Sequence, residues 1–297
     1  MASVRALLYR MFFVLKKSAA EGALHSWPGA SRKLEQFQQL IQRFSTRTVQ
    51  AWVRVQSGLS KEMWIEIAVP GEGFLWRGEH EPEVQNAISA VLRPGAVFYD
   101  VGAHVGAMAL GAANMVGESG RVVAFDAEPE NAQRLRRNAA RNGFEGRLRV
   151  VYAAVWSHST QNGISFRRGA TVRSQGGVEA AGNRPVLASG EIINVPAITL
   201  DDFVATGEPP PQLIKIDVEG GEYEVLRGGA RLFASQRPRI IVEVHHQQAA
   251  DQITTWLREY QYEARWNIPK EDFPRRLFAW PAEQEEKLWR DMWANAD

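Results

Sequence analysis

Two strand-like runs late in the chain end in side chains that could move a proton. The apolar run Leu213–Ile216 leads into Asp217-Val218-Glu219-Gly220-Gly221-Glu222, and the run Arg239–Val244 carries Glu243 and ends at His245-His246. Carboxylates at a strand end, followed by two glycines, can orient or deprotonate a hydroxyl. They can also hold a divalent ion, with Asp217, Glu219 and Glu243 as its ligands. Glu219 and Glu222 have a plainer use as well, which is to match the partial positive charge at the start of the following helix. A histidine near neutral pKa is a natural general base for an alcohol. Asp217, Glu219 and His245 are the candidate catalytic set.

A second group lies upstream, in Asp100-Val101-Gly102-Ala103-His104-Val105-Gly106. Glycine at 102 and 106 lets the backbone turn sharply and approach a ligand, leaving helix N–H groups free to meet it. The spacing departs from the dinucleotide fingerprint G-x-G-x-x-G, because position 104 is histidine. Asp100 would repel a pyrophosphate and attract an α-ammonium group. Asp126 ends the next strand, where a carboxylate can accept from both hydroxyls of a ribose. Loop and acid together point to a cationic nucleoside cofactor.

The elements that must position these residues alternate. Strands are expected at Ala96–Val101, Arg121–Phe125, Leu148–Val155, Leu213–Ile216 and Arg239–Val244, with two more near Glu263–Ile268 and Arg276–Ala279. Helices are expected at Ala107–Met115, Asn131–Asn142, Tyr223–Ala234 and Gln248–Tyr260. Strand–helix alternation with acids and glycines at strand ends predicts a doubly wound α/β sheet that binds ligands beyond its carboxyl ends. Glu81-Pro82 opens a helix ahead of this unit, and Val49–Val55 with Met63–Val69 reads as a β-hairpin. Ser157–Pro196, rich in glycine, interrupts the rhythm and reads as a lid or substrate-contacting insertion. The chain thus divides into a helical extension (1–48), a hairpin lead-in (49–80) and a cofactor-binding domain (81–297).

Composition narrows the function classes. With 35 basic and 34 acidic residues nothing global points to nucleic acid. The absence of cysteine excludes disulfides, thiolate nucleophiles and Cys-ligated zinc, and it suits a cytoplasmic setting. Residues 1–50 carry eight basic residues against Glu21 and Glu35. The apolar stretch Ala6–Leu15, broken by Arg10, is too short to span a bilayer. Residues 3–17 read either as a helix resting on an anionic membrane surface or as one packed on the domain.

Several ordered motifs resemble one family. Phe98–Gly106, Val123–Asp126, Asn138 with Asn142, Thr199–Asp202, Ile214–Gly220, Glu222 with Val225–Gly228, and Ile240–His245 resemble the FkbM-type methyltransferases. The resemblance implies a class I methyltransferase fold, Rossmann-like, with a sheet of about seven mostly parallel strands. It implies S-adenosylmethionine as donor and O-methylation of a sugar, glycolipid or polyketide-type acceptor. Asp100, Gly102, Ala103, His104 and Gly106 would surround the methionine part, with Glu81 covering its end. Asp126 would hold the ribose, Ala154 would join the cofactor site, and Asp217 and Glu219 would face the reacting centre. The chain departs from the family at His104, usually Asn, and at Asp126-Ala127, usually Glu-Pro. Two other readings fit the bare pattern: a nucleotide-dependent oxidoreductase, and a binding module that has lost its chemistry.

Overall fold

The computed structural model describes residues 49–69, 71–168, 177–178, 191–267 and 273–284. The expected N-terminal helices, the membrane-facing reading of residues 3–17 and much of the insertion lie outside these residues.

The central sheet has seven strands in the order β12-β13-β11-β10-β3-β4-β5. Its parallel part is β3 (Val97–Val101), β4 (Arg121–Asp126), β5 (Leu148–Tyr152), β10 (Leu213–Ile216) and β11 (Arg239–Val244). β13 (Arg275–Pro281) runs antiparallel between β11 and β12 (Tyr262–Trp266). The chain winds one way from β3 to β5 and the other way from β10 to β11, which opens a crevice beyond the carboxyl ends of β3 and β10. This is the class I methyltransferase architecture expected from the sequence.

Both faces of the sheet are buried, so the strands are apolar almost throughout rather than alternating. Phe98, Val122, Ala124 and Leu213 point into one core layer, and Tyr99, Val123, Phe125 and Ile214 into the other. The helices flanking the sheet near the glycine loop are α2 (Pro82–Val91), α3 (Ala107–Val116) and α4 (Pro129–Arg141), which follow a short α1 (Gly73–Arg77). The others are α5 (Leu200–Ala205), α6 (Glu222–Arg227), α7 (Ala230–Ser235) and α8 (Gln247–Glu259).

The hairpin of β1 (Val49–Arg54) and β2 (Trp64–Val69) shares a core with the sheet, since Val53, Ile65 and Ile67 pack in one cluster with Leu110 and Val116. Asn138 on α4 and Asn142, the residue that caps its end, dock it. The Asn138 side chain accepts from Glu66 N–H at 2.8 Å and donates to the Val105 carbonyl at 2.8 Å, while Asn142 accepts from Trp64 N–H at 2.9 Å. The same asparagine thus ties hairpin, helix and glycine loop together.

Three expected elements differ. The strand read as Leu148–Val155 bends after Tyr152, and Ala154–Val155 (β6) pairs instead with β9 (Ile192–Ile198). The helix read as Tyr223–Ala234 breaks at Gly228-Gly229, where a Cβ on Gly228 would sit 2.1 Å from the Trp156 carbonyl oxygen. The insertion folds in part as a second sheet of order β6-β9-β7-β8, with β7 at Thr160–Arg167 and β8 at Gly177–Val178. Its apolar residues Phe166 and Val195 close on Ala154, a small core that glycine counting conceals.

Candidate active site

The glycine loop leaves β3 and reaches α3 through three left-handed residues, Gly102 (φ 79°), His104 (φ 52°) and Gly106 (φ 91°). Glycine at 102 makes the sharp turn expected from the sequence and also meets a second demand. A Cβ there would lie 1.7 Å from the Asp217 carbonyl oxygen, so Gly102 allows the loop after β3 to touch the loop after β10. At Gly106 a Cβ would meet Leu135 of α4 at 2.8 Å. Four of the loop's amides are engaged within the protein. Gly102 and Ala103 N–H both donate to the Phe125 carbonyl, Gly106 N–H donates to Ala103, and His104 N–H donates to Asp126 Oδ2 at 2.7 Å.

Asp126 therefore anchors the loop. Its other oxygen accepts from Glu128 N–H at 2.9 Å and from the Asn131 side chain at 3.4 Å. Burial pushes its carboxyl up to about 7, against the hydrogen bonds from Glu128, His104 and Asn131. Burial also lowers His104 to about 4, keeping it neutral although its Nε2 stands 3.4 Å from Glu72 Oε1. Glu72 in turn forms a buried ion pair with Arg134 of α4.

An open cleft of about 610 Å³ lies over these residues. Of the candidate site residues, Gly102, His104, Asp126, Ala154, Asp217 and Glu219 line it. Glu81, Asp100, Ala103, Gly106 and His245 do not. Sequence reasoning missed Glu128, Trp156 and Phe166, which also line the cleft. Glu128 is paired with Arg168 at 2.8 Å, and Phe166 arrives from β7 of the second sheet.

Beyond Asp217 and Glu219 the cleft meets a dense charged cluster. Asp217 accepts from Lys215 Nζ at 3.1 Å, and Arg276 Nη2 lies 2.8 Å from Glu243 and 2.9 Å from Glu81. The buried Asp100 neighbours Lys215 across β3 and β10; burial raises its carboxyl to about 6, with Lys215 opposing. Lys215 is held well above its ordinary value by Asp217, Asp100 and Glu81 despite the burial that opposes its charge. Burial and the neighbouring Asp217 push Glu243 up. A lysine in the middle of a four-residue apolar strand was the readable sign of this cluster.

His245 ends β11 inside the cluster. Its Nδ1 lies 2.7 Å from Oε1 of Glu222, a side chain with no exposure at all. Its Nε2 faces Glu219 at 3.4 Å and Asp217 and Glu243 at 3.8 Å each. Burial would lower the imidazole, but the hydrogen bond and charge of Glu222, with Asp217 and Glu219, raise it to about 9. His246 is turned to another use and accepts from Ala249 N–H at the start of α8. Of the acids expected to hold a metal, Asp217 and Glu243 come together. Their ligand atoms and that of His245 lie within 4.8 Å of one another, the third place going to His245 rather than Glu219.

Residues 100–264 match the family model described as the methyltransferase FkbM domain. The chain belongs to the FkbM methyltransferase family. That membership makes it a methyltransferase and sets aside the oxidoreductase reading. A relative in the family, the hexuronic acid methyltransferase AglP of Haloferax volcanii, is 28% identical over 189 residues, covering 62% of this chain and 72% of that protein. The 31-O-demethyl-FK506 methyltransferase FkbM of Streptomyces tacrolimicus is 30% identical over 177 residues, covering 52% and 67%. The solved methyltransferase FkbM of Methylobacillus flagellatus KT superimposes with a TM-score of 0.45 at 16% identity, covering 70% of this chain and 57% of that one. Among the described residues, no helix is long and apolar enough to cross a membrane.

Proposed function

We propose that the chain moves a methyl group from S-adenosylmethionine to a hydroxyl of a sugar, glycolipid or polyketide-type molecule. The cleft suits that donor in its chemistry. Phe125, Ala154, Val155, Trp156 and Phe166 offer an apolar wall for a nucleobase, Glu128, Asp217 and Glu219 offer negative charge to a cationic amino acid, and Asp126 offers acceptor oxygens to ribose hydroxyls. When bound, the donor supplies an electrophilic methyl on a sulfonium.

One observation carries the choice of acceptor. Asp217 and Glu219 line the cofactor cleft and face Nε2 of His245 on their other side. An acceptor lying against the donor would meet the carboxylates, with the imidazole directly behind them, and these are the groups that take a proton from a hydroxyl. The two relatives differ here, because a hexuronic acid offers a carboxylate as well as hydroxyls. A carboxylate nucleophile needs no base, whereas a neutral hydroxyl uses the proton acceptor that this centre offers. His245 is the base in this reading, with Asp217 and Glu219 orienting the acceptor. The clustering of Asp217, Glu243 and His245 favours a second reading, a divalent ion in the place of the His245 proton. Loss of turnover on chelation, restored by Mn²⁺, would favour that alternative.

Calorimetric titration with S-adenosylhomocysteine tests the donor site. Asp126→Ala removes the anchor of the glycine loop and should weaken binding on the order of 10²-fold, the equivalent of one or two hydrogen bonds to a charged group. His245→Ala should bind as the unaltered protein does and turn over slowly. Undiminished affinity in Asp126→Ala would remove the assignment.

A further inference from the structure

The family motifs leave Glu222 unexplained except as an acid in the first turn of a helix. Its surroundings contradict that simple use. The side chain is fully buried, and a carboxylate that only matched a helix terminus would remain in water. Its Oε1 instead accepts from Gly220 N–H at 2.7 Å while lying 2.7 Å from His245 Nδ1. The turn that makes this contact is unusual, since Glu219 has φ 58° and Gly220 has φ 109°. A non-glycine residue held there is strained, and such strain gathers where a side chain must be aimed.

We infer that Glu222 is a positioning residue: it holds His245 as the Nδ1–H tautomer, so that Nε2 is the proton-accepting atom presented to the acceptor hydroxyl. The inference rests on the O-methyltransferase reading. A carboxylate can only accept a hydrogen bond from Nδ1, and Gly220 N–H anchors the same oxygen, so the ring is fixed in both tautomer and direction. The lone pair of Nε2 then points toward Asp217 and Glu219, the two residues the cluster shares with the cofactor cleft. The proton of the acceptor O–H passes to Nε2, and the freed oxygen pair forms the bond to the methyl carbon. The carbon–sulfur pair stays on sulfur, leaving S-adenosylhomocysteine, a methyl ether and an imidazolium stabilised by Glu222.

Charged groups surround the ring. Glu222 approaches from α6, Asp217 and Glu219 from the turn before it, and Glu243 from the ring's own strand. Lys215 of β10 and Arg276 of β13 are tied to Asp217 and Glu243.

Two measurements on the full-length chain test this. Nitrogen-15 NMR of labelled histidine at high pH reads the His245 tautomer directly, with His245→Gln used to assign the signal. The expected signature is Nδ1–H in the unaltered protein, and an Nε2–H ring would overturn the proposal. Glu222→Gln keeps the shape and an acceptor for Gly220 N–H but removes the charge. It should lose the Nδ1–H preference in the same spectrum and lower kcat, with S-adenosylhomocysteine affinity unchanged. A Glu222→Gln protein with altered stability but the same tautomer and an unchanged kcat would reduce Glu222 to a structural residue. Should Glu222→Gln fail to fold, the tautomer spectrum of the unaltered protein still decides. Methyl transfer failing on every hydroxyl acceptor, with the Nδ1–H tautomer intact, would count against the O-methyltransferase reading and leave the positioning geometry standing.

Discussion

Replacing Gly102 by alanine separates two reasons for a glycine in this loop. The residue sits at φ 79°, where a Cβ is penalised by about 1–2 kcal/mol whatever surrounds it. It also lies so close to the loop after β10 that the new Cβ would be 1.7 Å from the Asp217 carbonyl oxygen, against an ordinary contact of 3.4 Å or more. The two loops must part by more than 1 Å, and overpacking of this kind adds about 1–3 kcal/mol. The total expected loss of stability is roughly 2–5 kcal/mol. Gly143 provides the control, since it has φ 71° and no atom within 4 Å of a built Cβ, so Gly143→Ala should lose only the first term. Urea unfolding of both variants measures the difference. Displacing Asp217 should also reduce kcat on the order of 10²-fold, as misplacement of a reacting group by about 1 Å does. Equal stabilities for the two variants, with turnover intact in Gly102→Ala, would refute the argument that the loops meet through this glycine.

Two further outcomes follow from the same packing. Arg134→Met leaves Glu72 buried beside the neutral His104 without its partner, and should cost about 3–5 kcal/mol in urea unfolding; a loss under about 1 kcal/mol would contradict the buried pair. Phe166→Ala removes an aromatic wall contributed by the second sheet, and should weaken S-adenosylhomocysteine binding roughly 5–10-fold by calorimetry. Unchanged affinity would place the insertion outside the donor site.

What the sequence revealed and what it hid divide along physical lines. Asp126 and Asp217 were legible because a buried parallel strand is an apolar run, and the first acid after it marks the carboxyl end where ligands bind. The Asn138 and Asn142 pair was visible as a motif, but its docking of the hairpin depends on a contact 72 residues away at Glu66. His245 was visible as a strand-end histidine. The carboxylate that holds it lies 23 residues earlier, and only the pairing of β10 with β11 brings α6 beneath the ring. The glycine loop was read for a ligand-facing role, and Gly102 and His104 do line the cleft, but the contacts of Gly102 with Asp217 and of Gly106 with Leu135 were not readable. Local spacing carries backbone conformation well, but it says nothing of which distant backbone a glycine must accommodate. The same limit hid the second sheet, whose strands are separated by glycine-rich chain.

The most direct test of the whole account follows a labelled methyl group. The protein is incubated with S-adenosylmethionine carrying a radioactive methyl and a panel of neutral glycans and polyols, then compared with His245→Ala. The label should enter an acceptor, survive mild alkaline hydrolysis as an ether does, and fall sharply in His245→Ala. Label that is released by alkali as methanol, or that enters equally well without His245, would contradict a hydroxyl acceptor deprotonated at this site.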